Sequence, residues 1–231
     1  MTNSKSKHFS FADHAVNFRK HIKSSIRGYD DTLRPICRDM AHRFAQSGTR
    51  VLDVGCSTGH GLAALRRSLQ AKRPNVQYVG IDIEPSFAIH WDRLKAKNLH
   101  FEAADGLAYE GFTNLSLALM RFTLQFIRPV DKPALLKRVY DGLVEGGTLL
   151  IAEKTLADTA KMQDAMAFAY YDYKLKQGFT AEQILDKERS LRGQMTCWSE
   201  AELKANLMQA GFRHVETVWK DMLFVAAVAH K

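Results

Sequence analysis

The sequence is poor in the residues that build covalent or metal-held folds. Its three cysteines, Cys37, Cys56 and Cys197, are far apart and none forms a C-x-x-C pair. That argues against a disulfide framework and against a structural zinc. The nine histidines contain no H-x-x-x-H pair and meet no carboxylate cluster at ligand spacing, so no metal is expected. No apolar run approaches the roughly 18 residues of a membrane span. The opening stretch, Met1 to Ser10, is polar and basic and lacks the apolar centre of a secretion signal. We expect residues 1–10 to be a flexible tail on a cytoplasmic protein.

What is present suits one globular unit. Of 231 residues, 46% are apolar and 25% charged, enough for a single domain over residues 11–231 with its own core. The formal charge of +8 is compatible with RNA, with a small anionic substrate, or with solubility alone. Lysine and arginine concentrate locally in Phe18 to Arg27 and Arg66 to Arg73 but are otherwise spread out. Direct nucleic-acid binding is therefore possible but not favoured.

Two helices are predicted first, around Ala12–Ser25 and Thr32–Ala45 (residues 11–46 as a unit), with Gly28 as the turn between them. Strands at Arg50–Val54, Val76–Ile81, Leu99–Ala103, Leu115–Met120 and Gly147–Ala152 then alternate with helical stretches. One of these, Thr58 to Gln70, carries Leu62, Leu65 and Leu69 at helical spacing. Such alternation implies a parallel sheet with helices on both faces. Next comes a helical insertion over residues 155–196, a candidate lid or dimer surface. Its long helix, Ala157–Gln177, places Met162, Met166, Ala169 and Tyr173 on one stripe. Ser199 to Glu202 reads as a capping box for a further helix that Gly211 stops. Two final strands, His214–Val218 and Leu223–Ala229, are joined too closely to be parallel, so the last strand should be antiparallel.

Three turns carry the chemistry. In Asp53-Val54-Gly55-Cys56-Ser57-Thr58-Gly59, two glycines let the backbone turn sharply and approach a ligand at a helix N-terminus. A tight turn alone would also need them, and no Gly-Lys-Ser/Thr follows to make a phosphate loop. Asp82 ends the second strand, where a carboxylate can accept two hydrogen bonds from a ribose diol or simply cap the next helix. Asp105, before Gly106, could accept from an adenine amino group or only shape its turn. In successive turns the three reinforce one another.

The runs Asp53 to Gly59, Gly80-Ile81-Asp82-Ile83 and Ala104-Asp105-Gly106 resemble the class I S-adenosylmethionine (SAM)-dependent methyltransferases. Ser25 to Tyr29, Gly55-Cys56-Ser57, Phe122-Thr123-Leu124-Gln125-Phe126, Glu153-Lys154 and Arg189-Ser190 are similar to one branch, the carboxy-S-adenosylmethionine synthases, from about Phe11 to the C-terminus. The resemblance implies an α/β, Rossmann-like fold with a mostly parallel seven-stranded sheet and an antiparallel last strand. It implies that Tyr29 closes over the cofactor and that Gly55, Cys56 and Ser57, with Gly59 behind them, line its amino-acid end. Asp82 and Ile83 would take its ribose, and Asp105 and Gly106 its adenine. It further implies that Arg189 pairs with the carboxylate of the carboxylated cofactor, from its own subunit or from the neighbour in a homodimer. In that branch prephenate releases carbon dioxide that a SAM-derived ylide captures, for tRNA wobble-uridine modification.

Two positions depart from the branch. Arg121 stands where asparagine is usual, at the end of the fourth strand, facing the reactive centre. A cation there would repel a sulfonium yet could hold an anionic substrate. Tyr170-Tyr171 replaces a histidine pair, and tyrosine rings can face a sulfonium or pack a lid. With Arg189 these are the candidate catalytic residues; Arg121 and Arg189 are also candidate cofactor contacts. Three functions stay open. One is methyl transfer to a small, anionic acceptor, releasing S-adenosylhomocysteine (SAH). The second is carboxy-SAM synthesis, and the third is SAM binding without turnover, as a regulatory or RNA-associated protein. Arg121 inclines the sequence toward the first.

Overall fold

A computed structural model describes residues 18–231. The expected tail and the first part of the first helix, Ala12 to Asn17, lie outside the described residues. Seven strands form one sheet: β1 (Arg50–Val54), β2 (Gln77–Asp82), β3 (Leu99–Ala103), β4 (Leu115–Arg121), β5 (Leu143–Lys154), β6 (His214–Asp221) and β7 (Phe224–His230). Their order is β3-β2-β1-β4-β5-β7-β6. The pairs from β3 through β5 are parallel, whereas β7 runs antiparallel to both β5 and β6. The reversal of strand order between β1 and β4 opens a crevice at the carboxyl ends of the strands.

Alternation along the strands sorts side chains to two faces. On one, Val51, Tyr78, Leu117 and Leu150 pack with Leu33 and Ala41 around α2 (Arg34–Phe44) and with Leu62, Leu65 and Leu69 of α3 (His60–Leu69). On the other, Leu52, Ile81, Ala118, Met120 and Ile151 pack against α5 (Lys132–Gly142) and α8 (Glu200–Ala210) through Leu135, Leu136, Leu203 and Leu207. Each fully buried leucine contributes about 2 kcal/mol of transfer free energy. The short helix α4 (Ala88–Trp91), entered by a 3₁₀ turn at Pro85–Phe87, seals the edge beside the glycine turn with Phe87 and Trp91.

Chain entry differs from the expected pair of simple helices. Helix α1 (Phe18–Ser25) reaches Gly28, which is left-handed at φ 75°, and a π-helical turn over Tyr29–Leu33 leads into α2. The extra residue in that turn re-aims the chain where it crosses the crevice, a place where π-turns recur. The insertion holds α6 (Ala160–Lys176) and α7 (Ala181–Leu191). The proposed stripe on α6 is corrected: Met162 is 47% exposed, and the buried residues are Tyr170 and Lys174. Only Tyr170 and Lys174 of its seventeen residues are buried, so helical spacing alone did not select its packed face. The capping box at Ser199 forms as expected, with Ser199 and Glu202 satisfying each other's backbone N–H groups.

Candidate active site

The ends of β1, β2, β4 and β5 converge with α1, α6 and α7 on a cavity of about 290 Å³. At its β1 wall, Gly55 has φ 76°, and a Cβ there would lie 2.2 Å from Thr123 Oγ1. Gly59 caps α3 from the left-handed region, with the Phe101 ring filling the space a side chain would need. Ser57 is left-handed although it is not glycine, at φ 46°. Its carbonyl accepts from Trp91 Nε1 at 2.7 Å and its N–H donates to Asp82 Oδ2 at 2.8 Å. These bonds offset the conformational cost at a site that needs this shape.

Asp82 therefore does more than cap. One oxygen holds Ser57 N–H and the other accepts from Glu84 N–H at 3.0 Å, while Glu84 itself caps the next turn. A carboxylate offers about four acceptor directions, so two remain for a ribose diol. Burial pushes the Asp82 carboxyl up, against the pull of its two N–H donors. Asp105 shapes its turn by accepting from Leu107 N–H at 2.9 Å and also lines the cavity, beside Ile83 and Gly106.

The Phe122–Phe126 run forms the opposite wall. Phe122 is left-handed at φ 61°. The turn after it is fastened by Glu153, whose carboxylate accepts from Thr123, Leu124 and Gln125 N–H groups at 3.2, 2.8 and 2.9 Å. Burial pushes Glu153 up to about 8, with the three N–H groups opposing. Thr123 Oγ1 donates to the Val54 carbonyl at 2.9 Å, which ties β4 to the glycine turn. Glu153, Thr123 and Gln125 thus shape the site, a role visible in sequence only as motif resemblance.

The candidate residues separate. Tyr29, Gly55, Cys56, Ser57, Asp82, Ile83, Asp105, Gly106, Arg121 and Tyr170 line the cavity. Gly59 stands behind it. Tyr171 packs against Phe168 and Tyr170 and does not line it. Arg189 is 64% exposed on α7, bonded to Asp186, and is not part of the cavity wall of its own chain. Arg121 neither turns to solvent nor stands as an open cation. Its Nη2 lies 2.5 Å from Asp53 Oδ2, and its guanidinium fills the space over Gly61. Asp53 is fully buried, so the pair is neutral overall where a lone cation was expected. Burial opposes charge on Arg121, but the Asp53 carboxylate beside it more than offsets this and keeps it protonated. Three further lining residues were not singled out beforehand as site residues: Lys154, Lys174 and Lys187.

Burial also pushes up the thiols of Cys56 and Cys37, the latter to about 11, and the phenols of Tyr29 and Tyr170. None of these is a base or nucleophile near neutral pH. Among the described residues no group of three or more His, Cys, Asp or Glu side chains could hold a metal, and no helix is long and apolar enough to cross a membrane.

Sheet order, glycine turn and strand-end acids define a class I SAM-dependent methyltransferase fold, and residues 52–149 match the methyltransferase domain family. A putative O-methyltransferase from Nostoc punctiforme superposes with a TM-score of 0.66 at 15% identity, covering 96% of this chain and 60% of that one. The N-methyltransferase NodS from Bradyrhizobium japonicum, in complex with SAH, gives 0.56 at 14% identity over 90% and 92%. The carboxy-S-adenosyl-L-methionine synthase of Escherichia coli O17:K52:H18 is 32% identical over 218 residues, 93% of this chain and 87% of that protein. The chain belongs to the carboxy-S-adenosyl-L-methionine synthase family of SAM-dependent transferases.

Proposed function

We propose that this chain is a SAM-dependent transferase whose second substrate is a small anion. The observation that carries the reading is the single cavity that joins the Gly55–Ser57, Asp82 and Asp105 cradle to a wall rich in lysine. The cradle fits SAM: Gly55 presents backbone where a Cβ would clash, and Asp82 keeps acceptor capacity at the end of β2. Bound there, SAM supplies a sulfonium with an electrophilic methyl group. The chain's part is to align the partners and exclude water, since its buried phenols stay protonated.

A second reading, carboxy-SAM synthesis from SAM and prephenate, has two observations in its favour. The relatives named for that activity match nearly the whole chain. Arg121, which had inclined the sequence toward simple methyl transfer, is neutralised by Asp53. A homodimer accords with the exposed Met162, Phe168, Leu175 and Leu185 on α6 and α7, and with Arg189 lying outside its own chain's cavity.

Mass spectrometry of the protein after incubation with SAM and prephenate separates the reactions. A bound species heavier than SAM by one carboxyl group, made only with prephenate, supports synthesis. SAM or SAH alone overturns synthesis and directs the search to anionic methyl acceptors.

A further inference from the structure

The run of cations from Arg66 to Arg73 has no part in the cavity wall. It lies where α3 ends. Helix α3 starts beside the cavity with Gly59 and carries the chain about 15 Å away along its axis. There it packs against the end of α2. His42 Nε2 and Ser68 Oγ are 3.2 Å apart, and Arg73 Nη2 donates to the His42 carbonyl at 3.3 Å. Arg66 Nε donates to Asn98 Oδ1 at 2.6 Å, and Arg66 and Arg73 both act electrostatically on the Tyr78 phenol. Burial lowers the His42 imidazole, and Lys72, Arg38 and Arg73 lower it further while Asp39 opposes them. Arg38, Arg66, Lys72 and Arg73 thus belong to one patch, with Arg43 and Arg67 exposed in the last turns of the same two helices.

Negative charge is scarce on this face. Between Asp39 and Asp82 the only acid is Asp53, which is fully buried and paired with Arg121. Asp39 lies 3.2 Å from Arg38, with both side chains exposed. Among the described residues no carboxylate pairs with Arg43, Arg66, Arg67, Lys72 or Arg73. The helix dipole favours cations in a last turn, which accounts for Arg43, Arg66 and Arg67. It does not call for Arg38 in the middle of α2 or for Lys72 beyond the end of α3.

The surroundings select the partner. Among the described residues, no exposed large apolar side chain lies on α2, on α3 or in residues 70–77. A protein interface needs an apolar centre, and a membrane surface needs apolar groups to insert. Neither is offered here. Gln70, Asn75 and Gln77 are exposed beside the cations. Their amides can donate to and accept from a ribose 2′-hydroxyl, and guanidinium groups match phosphate oxygens in pairs.

We propose that the α2–α3 face, through Arg38, Arg66, Lys72 and Arg73, is a docking surface for the phosphate backbone of an RNA. It holds the RNA by charge and touches backbone more than bases, so binding depends strongly on salt and little on sequence. The surface is separate from the cavity and independent of which second substrate the cavity takes.

The test is fluorescence anisotropy of the full chain with a labelled RNA hairpin, the DNA hairpin of the same sequence, and unlabelled poly-L-glutamate as competitor. The variants are Arg38→Gln, Lys72→Gln and, as a control with the same loss of charge, Lys161→Gln on the exposed surface of α6. Four phosphate contacts, one for each cation, predict that RNA affinity falls about fiftyfold or more between about 50 and about 200 mM KCl. Arg38→Gln and Lys72→Gln should each weaken RNA binding about threefold or more and reduce the salt slope by about 1, whereas Lys161→Gln should change affinity less than about twofold. SAH affinity should be unaltered in all three, which reports intact folding. Absence of RNA binding at about 50 mM KCl would overturn the proposal. So would equal weakening by Lys161→Gln, which would assign binding to total charge. Displacement of the RNA by poly-L-glutamate at equal charge concentration would reassign the face to an acidic protein segment, and equal affinity for the DNA hairpin would remove the RNA assignment.

Discussion

Arg121, at the end of β4, and Asp53, within the adjacent β1, are joined by a 2.5 Å ion pair at the candidate cofactor site. Asp53 Oδ1 and Arg121 Nε are buried without a further partner among the described residues. Removing one member of such a pair leaves the other as a buried charge. Asp53→Asn should therefore destabilise the protein by about 3–5 kcal/mol. Arg121→Asn should cost less, because burial already favours the protonated carboxyl of Asp53. The double variant should be more stable than the sum of the two predicts, by about 1 kcal/mol or more. Urea midpoints at constant slope measure all three, and additivity would refute the coupling.

Gly55 faces Thr123 so closely that two effects combine in one substitution. Gly55→Ala places a side chain at φ 76° and drives its Cβ into Thr123 Oγ1. Left-handed strain alone costs about 1 kcal/mol. Gly48→Ala, at φ 81° with open space around it, provides that reference. We expect Gly55→Ala to exceed the reference by about 2 kcal/mol and to weaken SAH binding at least about tenfold. Adding Thr123→Ala should recover part of the stability by removing the clash.

Glu200 anchors α8 to β6. It accepts from Thr217 Oγ1 at 2.6 Å and Lys220 Nζ at 2.8 Å, and pairs with Lys204 at 3.0 Å. The Lys220 and Thr217 hydrogen bonds, more than Lys204, hold its carboxyl down at about 2. A depressed carboxyl contributes stability above its unfolded value, and that stability is lost as pH falls from about 4.5 toward 2. With the side chain 24% exposed, solvent screening leaves about 1 kcal/mol. Glu200→Gln should lower the urea midpoint at pH 6, and the gap from wild type should narrow by pH 3.5.

Much of the fold was legible because local physics determines it. The β1 and β3 boundaries fall where apolar runs meet turn residues, and α8 begins at the Ser199–Glu202 box and ends at Gly211. The insertion was harder. Helix α6 has apolar residues around its whole circumference, so spacing did not reveal that Tyr170 and Lys174 are the buried pair.

Sequence alone determined the order of elements, the antiparallel final strand, and the turns that place Gly55, Asp82 and Asp105 at strand ends. Each of these depends on periodicity, turn chemistry or connection length within a short stretch of chain. Only the tertiary structure decided which charged side chains are brought together. Arg121 and Asp53 are 68 positions apart, and their contact follows from the pairing of β1 with β4. Lys154, Lys174 and Lys187 meet because α6 and α7 fold back over the end of β5. Whether a charged side chain binds a ligand depends on the partner that neutralises it, and that partner is chosen by packing across the sheet and not by neighbours along the chain.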